Sequence, residues 1–145
     1  MTPCTALIMA LQLTCSDLDT AARTVWGEAR GEDYEGQVAV AHVLLNRVKA
    51  RHRREHTLSG VCLEPFQFST WNENDPNRDK LMRLGPHDRA YMVAYRAVLD
   101  AVLDLEDDQT LGATHYHALG VSPNWAVGEE PSAVIGRHLF YVGIR

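Results

Sequence analysis

The chain has 145 residues, of which 46% are hydrophobic and 23% charged, and a formal net charge of −5. That length suits one domain burying its own core, and the composition is that of an ordinary soluble globular protein. The acidic balance argues against nucleic acid as a partner.

An apolar run, Ala6-Leu7-Ile8-Met9-Ala10-Leu11, opens the chain, and the first basic residue is Arg23. A secretory signal wants a positive segment ahead of such a run, and a membrane span needs about 20 apolar residues. Residues 1–15 are therefore expected to be an extension or short helix, without a convincing signal peptide or stable membrane insertion. Cys4, Cys15 and Cys62 are odd in number and lack a C-x-x-C spacing, so neither a disulfide framework nor a zinc knuckle is indicated. Reduced thiols are the simplest reading, with a Cys4–Cys15 pair open to the protein in an oxidising compartment.

Ser16 and Asp19 have the spacing of a capping box at a helix start. Leu18, Ala21, Ala22, Val25, Trp26 and Ala29 then recur at helical spacing and predict one buried stripe. Glu28 projects about 80° from the centre of that stripe, on its shoulder. A carboxylate there, at a helix end before the Gly31 to Gly36 turn, is a candidate general acid, because desolvation raises its pKa. The plainer reading is a helix-end carboxylate paired with Arg23 or Arg30.

Residues 37–48 are apolar almost all round, with breaks at Gln37, His42, Asn46 and Arg47, and predict a central buried helix. Asn46 and Arg47 then need partners, in a structural cap or in a cleft. Arg47, Lys49, Arg51, Arg53 and Arg54, interleaved with His52 and His56, read as a solvated helix end or as a contact for an anionic polymer.

Residues 57–87 lack sustained helical periodicity, and a long irregular stretch of this kind is usually functional or disordered. Its mixture of Phe66, Gln67, Phe68, Ser69, Thr70, Trp71 and Asn72 suits sugars, with flat rings for pyranose faces and amides and hydroxyls for their polar groups. Pro86 is read as opening a helix over 87–103. After the acidic linker 104–108, segments 113–118 and 136–142 read as short strands. The expected fold class is α+β: one domain over 1–145, mostly helical, with a small antiparallel sheet near the C-terminus.

Strand alternation puts His115 and His117 on one face and Tyr116 on the other, and Tyr116 is preferred for a cleft. Trp125 reads equally as a sugar-stacking or a buried ring. His115, His117 and His138 supply a zinc alternative, an amidase or peptidase, although no H-E-x-x-H motif is present.

Several of these motifs occur together in a known order. Trp26-Gly27-Glu28-Ala29-Arg30-Gly31-Glu32, Gly36-Gln37-Val38-Ala39-Val40-Ala41 and Asn46-Arg47-Val48 come first. Gln67-Phe68-Ser69, Thr114-His115-Tyr116-His117, Pro123-Asn124-Trp125-Ala126 and Ile135-Gly136-Arg137-His138-Leu139-Phe140-Tyr141 follow. Across about residues 20–142 the chain resembles the cell-wall hydrolase family of the spore-cortex-lytic enzymes.

The resemblance implies a lysozyme-like fold and cleavage of the peptidoglycan glycan strand between N-acetylmuramic acid and N-acetylglucosamine. Several members are lytic transglycosylases, which add no water, and the family's catalytic glutamate matches Glu28. Glu32, Gln67, Ser69, Tyr116 and Trp125 are the expected substrate contacts, with no cofactor and no metal. A monomer acting on peptidoglycan is expected, in a phage-endolysin setting where a separate pore former gives access to the wall. The alternative within this class is a muramidase. It would ordinarily want a second carboxylate, about 5 Å away for retention, from among Glu32, Asp33, Glu35 and Asp75.

Overall fold

A computed structural model describes residues 12–145. The N-terminal apolar run and Cys4, and with it the Cys4–Cys15 pair, lie outside the described residues.

Helix α1 spans Cys15–Ala29, and its start differs from the expectation. The capping box is Thr14 with Asp17: the Asp17 N–H donates to Thr14 Oγ1 at 3.0 Å, and the Thr14 N–H donates to Asp17 Oδ2 at 2.9 Å. Only Thr14 has the extended backbone an N-cap requires, whereas Ser16 and Asp19 already lie inside the helix. Asp19 is used elsewhere, accepting from Arg23 Nε and, at 2.6 Å, from the Tyr91 hydroxyl. The second oxygen of Asp17 accepts from the Ser59 N–H at 3.0 Å and hydroxyl at 2.7 Å. One carboxylate thus both caps α1 and anchors helix α3, Leu58–Leu63.

Helix α2, Tyr34–Lys49, begins at Asp33 and is buried from Gly36 to Leu44, as its nearly uninterrupted apolar run demands. Helix α5, Arg89–Val102, packs Tyr91, Ala94, Val98 and Ala101 against the core it shares with α1 and also buries Ala97. Small alanines let these helices approach closely. Pro86 does not open α5. The N-cap is Asp88, and Pro86 sits in the preceding turn, where the Gly85 N–H donates to Asp88 Oδ2 at 3.1 Å. Leu18, Val25, Val40, Leu44, Leu58 and Leu81 are almost wholly buried, each contributing about 1.5–3 kcal/mol relative to exposure.

The irregular stretch holds more helix than its periodicity suggested: α3, a 3-10 turn over Ser69–Trp71, and helix α4, Arg78–Arg83. Six-residue helices are too short to display a 3.6-residue period.

Strands β1, His115–Ala118, β2, Ala133–Ile135, and β3, His138–Tyr141, form an antiparallel sheet in the order β1-β3-β2. The α+β architecture, mostly helical with a C-terminal antiparallel sheet, is as expected. Strand β2 was missed because three residues show no alternation. Ala39 and Val43 of α2 meet Ala113 and Phe140 in a second, small core. Asn46 serves as a structural cap, donating to Asp108 Oδ2 at 2.9 Å and to the Ala113 carbonyl at 3.0 Å.

The register removes the zinc alternative. Tyr116 pairs with Phe140 and Ala118 with His138, so His138 shares the face of Tyr116, opposite to His115 and His117. Three imidazoles divided between two faces of one sheet cannot converge on one ion. No helix among the described residues is long and apolar enough to cross a membrane.

Candidate functional site

Glu28 sits in the last turn of α1, half-buried on the shoulder its spacing predicted. Neither arginine proposed as its ion-pair partner takes that place. Arg23 holds Asp19 at 3.0 Å and the Leu81 carbonyl, while Arg30 donates to Asn77 Oδ1 at 3.1 Å and lies over the Trp26 ring. The recorded partner of Glu28 is the Tyr116 hydroxyl, which donates to Oε2 at 3.0 Å from the sheet side.

Burial pushes the Glu28 carboxyl above its usual range, and the nearby Asp75 charge adds to the rise. The Tyr116 hydrogen bond and the Arg47 charge oppose it without reversing it. The C-terminal, negative end of the α1 dipole works in the same direction as burial. Tyr116 stays a phenol, its pKa raised well above the ordinary value by burial and by the charge and hydrogen bond of Glu28. A carboxyl biased toward protonation, with a fixed donor on one oxygen, can give a proton and then hold the resulting charge.

Arg47 is 6% exposed, one of three buried polar side chains on α2 with Gln37 and His42. Its Nε donates to the Thr114 carbonyl at 2.6 Å, its Nη1 to Gln67 Oε1 at 3.4 Å, and its guanidinium lies 5.0 Å from the Phe68 ring centre. It joins α2, β1 and the 64–71 loop, and its positive charge acts on Glu28. The break it made in the apolar pattern was the visible signal; its role in the site was not.

The 69–71 turn lies directly on α1. Trp71 Nε1 donates to Thr24 Oγ1 at 2.9 Å. Thr70, 4% exposed, packs so tightly on Gly27 that a β-carbon there would overlap its side chain. Gly27, immediately before Glu28, is therefore what lets this loop reach the site. Thr70 Oγ1 is buried and without a hydrogen-bond partner, a feature the sequence offered no means of finding.

Glu32 does not extend the helical face of Glu28, because α1 stops at Ala29. Its side chain, 8% exposed, crosses to the sheet, where both carboxylate oxygens accept from the Arg137 N–H at 3.3 Å. Arg137 Nε and His138 Nδ1 each lie 3.7 Å from Oε1. Gly136, with φ of +58°, has no β-carbon to collide with this carboxylate. Between the two glutamates and the sheet lies a cavity of about 200 Å³, walled by Glu28, Glu32, Ala118, Leu119, Arg137 and His138. Of the other carboxylates weighed for a second role, Asp33 and Glu35 are exposed at the start of α2, whereas Asp75 is half-buried and near enough to act on Glu28.

The remaining candidates divide between two faces. Tyr116 faces Glu28, as preferred. Gln67 is half-buried against Arg47, and Ser69 is exposed at the start of its turn. Trp125 packs on the opposite face of the sheet, its ring centre 5.1 Å from His115, 5.7 Å from His117 and 5.2 Å from Tyr141. His115, pushed down to about 4 by burial and by the Arg47, His52 and Arg53 charges, stays neutral there. The structure therefore unites Glu28, Glu32 and Tyr116, places Gln67 beside them through Arg47, and sets Trp125 on the opposite face.

Comparisons with known proteins bear on the family and the fold. The Cell Wall Hydrolase family model matches residues 31–141, beginning three residues after Glu28. The spore cortex-lytic enzyme of Halalkalibacterium halodurans is 36% identical over 126 residues, covering 86% of this chain and 34% of that protein. The chain thus spans about a third of the length of this curated relative. Two solved structures resemble it over 88% of its length at 35% identity. One is the catalytic domain of the germination-specific lytic transglycosylase SleB from Bacillus anthracis, with 95% of that chain covered and a TM-score of 0.70. The other is the catalytic domain of the Bacillus cereus SleB protein, with 91% covered and a TM-score of 0.71.

Proposed function

This chain belongs to the Cell Wall Hydrolase family, and from that premise we propose that it is a lytic transglycosylase cleaving peptidoglycan glycan strands between N-acetylmuramic acid and N-acetylglucosamine. Glu28 is the general acid and base. The observation that carries the reading is a half-buried carboxyl on a cavity wall, pKa raised, with a phenol on one oxygen and, among the described residues, no arginine ion pair. The similarity to the B. anthracis SleB domain, a germination-specific lytic transglycosylase, supports the choice of reaction.

The proton on Glu28 passes to the glycosidic oxygen as the bond to muramic C1 breaks, releasing the N-acetylglucosamine hydroxyl. Glu28, now ionised, takes the proton of the muramic C6 hydroxyl while that oxygen bonds to C1 and closes a 1,6-anhydro ring. One carboxylate serves both steps and returns to its starting state. Tyr116 and Arg47 stabilise the ionised form between them, which keeps the second step within reach of the first. Glu32, engaged by the Arg137 amide, positions the sheet wall, and Gln67 and Ser69 contact the sugar. Residues 12–145 act as a catalytic domain and the protein as a monomer, and a one-chain mass in solution checks the latter.

Mass spectrometry of purified glycan strands after digestion tests the reaction. Anhydro-muramic ends are expected, reducing muramic ends would mean that water is the acceptor, and released stem peptides would overturn the glycosidic assignment. Glu28→Gln is expected to lower turnover by about 10²–10⁴-fold with the fold retained.

A further inference from the structure

The segment Glu64-Pro65-Phe66-Gln67 is a β-turn closed by the Gln67 N–H donating to the Glu64 carbonyl at 3.1 Å. Proline suits the second position of such a turn, because its ring presets φ. The third position has φ of +64°, and Phe66 occupies it. Glycine or asparagine is the ordinary occupant of that left-handed conformation, and a bulky side chain there is strained.

Packing does not compensate for that strain. Phe66 is 86% exposed, the most exposed of the large hydrophobic side chains among the described residues. A phenyl ring held in water on a strained backbone stabilises neither the turn nor the core. Strain of this kind, where the fold gains nothing from it, points to a contact outside the chain.

The place of Phe66 in its loop points to the kind of contact. Gln67, the next residue, receives Arg47 Nη1, and Arg47 lies over Phe68 while its charge acts on Glu28. Phe66 thus extends from the loop that Arg47 ties to the site. Beside it in sequence stand the Gln67 amide and the exposed Ser69 hydroxyl. An apolar plane flanked by an amide and a hydroxyl fits a pyranose, whose C–H face stacks on a ring while its polar groups take hydrogen bonds.

We propose that Phe66 is a sugar-stacking platform, binding one pyranose ring of the glycan strand and contributing to substrate affinity rather than to the chemical step. The inference rests on the glycan reading above and adds to it a binding residue and its ligand class.

Binding of purified, peptide-free glycan strands to the Glu28→Gln protein by calorimetry, with and without Phe66→Gly, separates the two. Phe66→Gly relieves the turn, so its thermal midpoint is expected to match or exceed that of the parent. Its affinity is expected to fall roughly three- to tenfold, as loss of one stacked ring implies. In the active enzyme the same change is expected to raise KM with kcat within about twofold, and Phe66→Trp to restore affinity.

Unchanged affinity of the glycine variant overturns the proposal. So does a lowered thermal midpoint, which would make the ring structural. A loss seen on peptide-bearing sacculi but absent on stripped strands assigns the ring to the stem peptide and also overturns it. If the Glu28→Gln protein with Phe66 intact fails to bind glycan strands, the glycan reading itself falls, a result distinct from the other three.

Discussion

Around α1 the site is backed by a continuous apolar core running through Leu18, Val25, Val40, Leu44, Leu58 and Leu81, whereas the β-sheet rests on Ala39, Val43, Ala113 and Phe140. Polar side chains supply what the second cluster lacks. Asn46 and Arg47 reach the carbonyls of Ala113 and Thr114, His42 Nε2 lies 2.8 Å from the Glu106 carbonyl, and Glu32 holds the Arg137 amide. The proposed acid is thus mounted on the densely packed wall, and the phenol that contacts it comes from the wall fastened by directional bonds. Geometry at Glu28 depends on the docking of the second wall, while retention of the fold depends on the first.

Two glycines, one on each wall, give the strongest way to break that contrast. Gly136→Val places a side chain against the Glu32 carboxylate at a positive φ and is expected to cost about 2–4 kcal/mol. Hydrogen exchange is expected to show β3 loosened and α1 still protected. Gly27→Ala forces a methyl into Thr70 and is expected to cost about 1–3 kcal/mol, with activity lost through displacement of the 69–71 turn. Equal loosening of both walls by either variant would dissolve the distinction.

Asp17→Ala sharpens it on the stability side. Burial alone would raise this carboxyl, but hydrogen bonds from Ser59 and Thr14 outweigh it and hold its pKa below the usual range. Loss of about 2 kcal/mol in denaturant unfolding is expected, with the anhydro product unchanged. The sign follows from linkage. A lowered native pKa means that Asp17 stabilises the fold above its unfolded value, and the contribution fades as pH falls through the native value. The gap between Asp17→Ala and wild type is therefore expected to narrow in acid. Glu28 has the opposite sign: its raised carboxyl makes the fold lose stability as pH climbs past the unfolded value, so Glu28→Gln is expected to match or exceed wild-type stability at neutral pH.

The smallest effect belongs to the bond between the walls. Tyr116→Phe removes the donor that favours ionised Glu28, so its pKa rises further. The alkaline limb of kcat/KM is expected to move up by about one pH unit or less, with a modest loss in kcat. An unmoved limb would mean that Glu28 is not the titrating acid.

Much of the helical wall was legible before any coordinates. The stripe from Leu18 to Ala29 placed Glu28 on a shoulder, and the nearly all-apolar run in α2 announced a buried helix, because an apolar period records which side of a helix faces the core. The Thr14 and Asp17 cap was misplaced by two residues, since two S/T-x-x-D spacings overlap there and only the backbone chooses between them. Strand β2 and helices α3 and α4 are too short to repeat their period often enough to reveal it. His138 was drawn toward a metal because its face depends on the β1–β3 register, which no single strand encodes.

Taken by itself, the order of residues determined the three long helices, the two longer strands, the family resemblance and the direction in which Glu28 points. Tertiary docking alone decided what that carboxyl meets: a tyrosine 88 positions away, while Glu32 finds its amide 105 positions on. The reason is that periodicity is a local property of backbone geometry, whereas desolvation and hydrogen-bond partnership come into being only when distant elements close on one another.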